Sequence, residues 1–277
     1  MIGVIPASPV IASANASASD RFSLSAAALH ILAMVLMLMD HLWATLLPAQ
    51  DWLTCAGRLA FPIFAFMAVE GYFHTHSFRK YALRLALFAV LSEVPFDLMY
   101  GGTWFYPVHQ NVIWTLLLGL LGIHLMEPCA KTKTWLYLLT ALLVVLIGTV
   151  LGTLSMVDYY GTGVLTIFIF YFFRGRKWWC LAGQLLALYW VNVQLLGGLL
   201  YPVHIFGMEF EICQQGLALL ALLPIWLYRG RQATTVTIPV ISVSILSSSY
   251  AAACGGTEFH QPMIKFYNPR HSWYHNR

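Results

Sequence analysis

The chain alternates long apolar stretches with short polar ones. Apolar windows fall at about 24–47, 53–73, 79–99, 111–127, 134–154, 161–173, 178–200 and 210–228, and a helix crosses a bilayer with about 20 apolar residues. The pattern predicts an all-α, polytopic transmembrane bundle of about eight spans. A weak ninth stretch at 236–254 is Ser-rich and broken by Pro239. The first nineteen residues hold no Lys or Arg, so they predict an irregular tail and not a cleaved secretory signal. The chain thus divides into a tail at 1–23, a transmembrane domain at 24–231, and a polar, basic segment at 232–277.

Composition supports the bilayer reading. With 60% hydrophobic and 9% charged residues and a mean hydropathy of +0.72, a soluble globule would lack the polar surface to cover itself. The net charge of +4 sits in loops and argues for orientation, not for nucleic acid. Arg79, Lys80 and Arg84 follow the second window, Lys131 and Lys133 the fourth, Arg174, Arg176 and Lys177 the sixth, and Arg229 and Arg231 the eighth. The intervening loops carry Asp51, Asp158 and Glu209. The positive-inside rule therefore puts the amino terminus in the cytoplasm. The five cysteines show no CxxC spacing, which excludes a zinc site of the usual pattern and a disulfide framework.

Ionisable residues inside apolar windows are costly and face protein-lined sites. Asp40 and His41 lie in the outer half of the first window, Arg58 in the second, Glu93 and Asp97 toward the outer end of the third, Asn111 at the start of the fourth and Asp158 before the sixth. This topology places them at one membrane level. Sequence neighbours point about 100° apart on a helix, so Asp40 is badly placed to orient His41, and Glu93 or Asp97 is expected to do so instead. Asp40 is expected to pair with Arg58. Pro62 and Pro95 cannot donate to the helix ladder and are expected to bend the second and third helices. On the cytoplasmic side Glu70, Arg79, Lys80 and Arg84 could form a basic entrance for an anionic cofactor, with Arg84 paired to Glu70 or a phosphate; the plainer reading makes them topology determinants. No GxGxxG, P-loop, HExxH or GxSxG pattern occurs, so nucleotide, zinc-protease and serine-hydrolase chemistry has no motif support.

The segments Leu36 to His41, Gly57 to Phe66 with Glu70-Gly71, Ser92 to Asp97, Asn111 with Thr115-Leu116, and Asp158 to Gly163 resemble the TraX family of conjugal-transfer membrane proteins, over about residues 30–231. The resemblance implies N-terminal acetylation of pilin subunits with acetyl-CoA, without a metal, at the bacterial inner membrane. It also implies kinship with integral-membrane acyltransferases that move acyl groups from cytoplasmic thioesters to acceptors across the bilayer, and a pilin or surface glycan as the acceptor here. It stops at the carboxyl end: family chains tend to close with an apolar helix bearing Tyr-Pro-x-His, whereas here Tyr201-Pro202-Val203-His204 precedes the eighth window. Acyl-transfer logic then assigns His41 as general base, Glu93 or Asp97 as its orienting group, Arg58 as oxyanion stabiliser or lock on Asp40, and Asn111 as donor. The alternatives are a proton-coupled transporter or flippase, built on the same ionisable set, and a non-enzymatic pilus or secretion scaffold.

Overall fold

A computed structural model describes residues 24–205 and 208–228. The expected tail at 1–23, the segment 232–277 with its ninth stretch, and Arg229 and Arg231 lie outside the described residues. The helices are α1 (Ala26–Thr45), α2 (Asp51–Gly57), α3 (Ala60–His74), α4 (Phe78–Gly101), α5 (Val112–Met126), α6 (Thr134–Leu154), α7 (Tyr160–Phe172), α8 (Trp178–Tyr189) and α9 (Leu222–Leu227). Among the described residues five helical stretches are long and apolar enough to cross a membrane: Ala26–Thr45, Asp51–His74, Val112–Lys131, Thr134–Leu154 and Trp178–Leu196. The chain is a helical membrane protein. The count of about eight spans is not reached by length and composition alone.

Each departure has a local cause. The second span is broken between α2 and α3 at Arg58 and Leu59, because Pro62 has no N–H to give the Arg58 carbonyl four residues earlier. Pro95, by contrast, sits inside the continuous helix α4. That helix carries too many charges to count as apolar, yet Leu83, Leu87, Val90, Leu91 and Val94 form an exposed stripe at helical spacing, a face suited to acyl chains. α7 has 13 residues, too few for a lipid-facing span. It lies instead within the bundle, with Phe168 and Phe170 in the core. Its neighbours are α3, α5 and α6. On α6, Leu138, Leu142, Leu146 and Val150 stay exposed, as expected of a lipid-facing helix.

The carboxyl part corrects the all-α prediction. After a π-helical turn at Trp190–Leu196, Gly197 and Gly198 adopt φ of 64° and 120°, conformations that glycine takes without strain and that stop the helix. An antiparallel hairpin comes next, β1 (Leu200–Ile205) with β2 (Met208–Cys213). Met208-Glu209-Phe210-Glu211-Ile212 alternates with the period of a strand, so the window at 210–228 begins in a sheet. Helix resumes only from Gln215.

The two ends of the bundle differ in chemistry. At one end Leu24 N donates to the Leu227 carbonyl (3.1 Å), and Arg176 donates to the carbonyls of Tyr228 (2.7 Å) and Trp226 (2.9 Å). Arg174 grips Glu70 through Nε (2.7 Å) and Nη2 (3.2 Å) and lies over the Phe73 ring. The opposite end holds Asp40, His41, Glu93, Asp97, Asn111 and Asp158.

Candidate active site

The C-terminal ends of α1 and α4, the N-terminal ends of α5 and α7 and the α2–α3 break line a cleft of about 70 Å³, with Asp40, His41, Ser92, Asn111 and Asp158 among apolar side chains such as Phe61 and Phe96. Of the sequence-predicted residues the lining takes in Asp40, His41, Asn111 and Asp158, but not Arg58, Glu93 or Asp97. The Asp40–Arg58 pair is present: Arg58 Nη2 lies 2.6 Å from Asp40 Oδ1. The helix break at Arg58 brings this guanidinium beside the last turns of α1, and α1 and α2 pack closely. Thr54, one turn before Arg58, adds a bond from its hydroxyl to the same Asp40 oxygen (2.8 Å). An arginine on a half-buried carboxylate in a low-dielectric setting offsets the cost of burying either charge alone.

Gly57 makes this approach possible. A Cβ there would lie 2.7 Å from Asp40 Oδ1 and 2.9 Å from its Cγ. Gly57→Ala is therefore expected to push Asp40 off Arg58 and to cost about 1–3 kcal/mol as an overpacking change. Melting of the purified protein in detergent checks this, and an unshifted transition would show that Asp40 yields freely.

Glu93 and Asp97, the groups expected to orient His41, each give one oxygen to other donors, while Glu93 Oε1 and Asp97 Oδ1 are buried without a hydrogen-bond partner. Glu93 Oε2 accepts from Asn111 Nδ2 (2.5 Å) and Trp114 Nε1 (2.8 Å), while Asp97 Oδ2 accepts from the Tyr106 backbone N–H (3.0 Å). Both carboxylates therefore tie α4 to the α4–α5 connection and to α5, because Asn111 caps α5 through Ile113 N (3.0 Å) and also donates to the Ala89 carbonyl (2.8 Å). The carboxylates that share the cleft lining with His41 are Asp40 and Asp158. Asp158 is fixed by its backbone: its N–H donates to the Gln110 carbonyl (2.9 Å), and its own carbonyl accepts from the Thr115 hydroxyl (2.6 Å). Met156, Tyr159 and Tyr160 around it all have positive φ, from 50° to 61°. Such strained backbone concentrates at functional sites.

The basic-entrance reading is also redrawn. Glu70 is taken by Arg174 and not by Arg84, since Arg174 ends α7 beside α3, whereas Arg79, Lys80 and Arg84 stand exposed on α4. A second cleft, of about 400 Å³, opens at this end beside Glu70, His74, Arg174 and Arg176. Among the described residues no group of three or more metal-ligating side chains occurs.

Four participants escaped the sequence reading. Thr54 is fully buried, at helical spacing ahead of Arg58, a signal open to inspection. Gln214 reaches it across 160 positions (3.1 Å), which no local pattern reveals. His109, buried against the Phe96 and Tyr100 rings, has Nε2 3.5 Å from Asp158 Oδ1. Ser92 lines the cleft. His41 Nδ1 and Ser92 Oγ are buried without a hydrogen-bond partner, an unusual state for buried polar atoms. In this cleft they are available to a ligand.

These features define a helical membrane protein with an ionisable cluster beside a cleft at one end of its bundle. The chain belongs to the TraX family, matching the description "TraX protein" over residues 25–204. It is also similar to the "Probable fimbrial assembly protein FimC, serogroup H1" of Dichelobacter nodosus, 32% identical over 116 residues. That match covers 38% of this chain and 48% of the relative, so the chain spans about half of that relative's length. No solved structure matches the chain.

Proposed function

We propose that this protein is an acyltransferase that moves acetyl from acetyl-CoA to the amino terminus of a pilin or to another cell-surface acceptor, such as a glycan, at the bacterial inner membrane. The observation that carries the reading is His41 Nδ1, buried without a partner at a cleft that also presents Asp40 and Asp158. His41 takes a proton from the acceptor amine or hydroxyl as that atom bonds to the acyl carbon. The C–S bond breaks, and the CoA thiolate leaves and is protonated. Asp40 and Asp158 favour the imidazolium formed in this step. Arg58 is committed to Asp40, which makes it the lock and not the oxyanion group. Asn111 is committed to Glu93 and the Ala89 carbonyl, so it shapes the cleft wall. Arg79, Lys80 and Arg84, exposed at the opposite end, are suited to the phosphates of CoA.

A transporter reading draws on a different observation: the first cleft takes in Ala60, Phe61 and Phe64 of α3 and the second Phe66, Glu70 and His74, so the two linings follow one another along that helix. The test compares them directly. Purified protein with acetyl-CoA and a pilin peptide should release free CoA, and pilins from cells lacking the protein should lose one acetyl group by intact mass. Acidification of proteoliposomes without any CoA release across a broad acceptor panel would favour transport.

Orientation has its own test. Reporter fusions after Lys133 and Arg176 are expected to score cytoplasmic, and fusions near Gly102 and Asp158 periplasmic. A cytoplasmic Gly102 fusion would put the His41 cleft on the wrong side for a surface acceptor.

A further inference from the structure

We infer that Thr54 and Gln214 are positioning residues: together they aim the single hydroxyl proton of Thr54 at Asp40 and so fix the carboxylate beside His41. The inference rests on the acyl-transfer reading for its catalytic consequence, but the hydrogen-bond relay itself does not. Thr54 Oγ1 donates to Asp40 Oδ1 (2.8 Å). It accepts from Arg58 Nη2 (3.0 Å) and from Gln214 Nε2 (3.1 Å). A hydroxyl has one proton and two lone pairs, so both lone pairs are taken and the proton has one destination. Arg58 has no acceptor to offer. Were the Gln214 amide turned to present its oxygen, two acceptors would compete for one proton. The amide nitrogen facing Thr54 is therefore the arrangement that completes the network.

Gln214 is itself well anchored. Its backbone N–H donates to the Leu199 carbonyl (2.9 Å), closing the base of the hairpin, and the next residue, Gln215, donates through Nε2 to Asn192 Oδ1 (3.1 Å). Gln214, Gln215 and Asn192 are all buried. The relay thus runs from the foot of the hairpin through Thr54 to the site, and its far end lies beyond residue 204, where the family match stops. Both short bonds converge on Asp40 Oδ1, so the carboxylate cannot rotate without breaking one. A fixed negative charge next to His41 stabilises the imidazolium at the moment it forms, which raises turnover more than it tightens acceptor binding.

The test uses the full-length protein in detergent, with Thr54→Val, Thr54→Ser and Gln214→Met. Thr54→Val and Gln214→Met are expected to lower kcat for acceptor-dependent CoA release about tenfold or more with little change in KM. Thr54→Ser is expected to restore most of the loss. Melting decides the relay without reference to activity. Gln214→Met should lower the transition in the Thr54 protein and much less in Thr54→Val, and Thr54→Val should cost less in an Asp40→Asn background. Equal shifts in both backgrounds would overturn the relay, as would a change confined to KM or failure of serine to rescue. If the wild type releases no CoA while the melting cycles show coupling, the acyl-transfer reading fails and the relay stands as a structural network.

Discussion

Arg58→Ala is expected to destabilise the folded protein by about 3 kcal/mol and to lower its abundance in membranes, because it strands the Asp40 carboxylate among apolar neighbours. The two side chains are 20% and 26% exposed. The cleft thus admits some water, which puts the cost at the lower end of the range for broken buried pairs. Thr54 would still donate to Asp40, but a neutral hydroxyl cannot replace the guanidinium charge. Adding Asp40→Asn should recover most of the loss, since it removes the unpaired charge while keeping an oxygen for Thr54. Glu93→Gln should recover nothing, because Glu93 has its own donors in Asn111 and Trp114. Melting curves and quantitative membrane blots of the single and paired variants measure the coupling. Recovery by Glu93→Gln instead of Asp40→Asn would reassign the ion-pair partner.

That pair is legible in the sequence because the bilayer leaves few options. A charge within an apolar span needs an opposite charge at its own depth, and Arg58 is the cation at the depth of Asp40. The same logic does not find the donors that Glu93 and Asp97 bind. They do share a face of α4, but carboxylates can be satisfied by neutral N–H groups. The Asn111 amide, the Trp114 indole and the Tyr106 backbone come from the chain that leaves α4 and returns into α5, a path that helical periodicity does not encode. Glu70 is legible as needing a cation, yet the choice between Arg84 and Arg174 depends on α7 lying beside α3. An averaged apolar window hides the hairpin, because Met208, Phe210 and Ile212 score as membrane residues while their alternation with Glu209 and Glu211 marks a strand. The burial of His109 comes from the chain pairing Gln110 with Val157, a long-range contact that brings its ring to Asp158.

His41→Gln separates the enzyme from a scaffold. Glutamine keeps much of the volume and can form hydrogen bonds from its amide, but it cannot carry the proton, so acceptor-dependent CoA release is expected to fall by roughly 100-fold to 10,000-fold. The fold should survive, because His41 Nδ1 makes no hydrogen bond within the protein and its backbone carbonyl still accepts from the Thr45 hydroxyl (2.7 Å). In the wild type the rate should rise with pH as the imidazole gives up its proton, and this limb should vanish in the variant. Mutation of a group acting only through packing would scale the whole profile without moving it. Wild-type CoA release by His41→Gln at equal protein level would remove the histidine from the chemistry and return the cleft to a transport or assembly role.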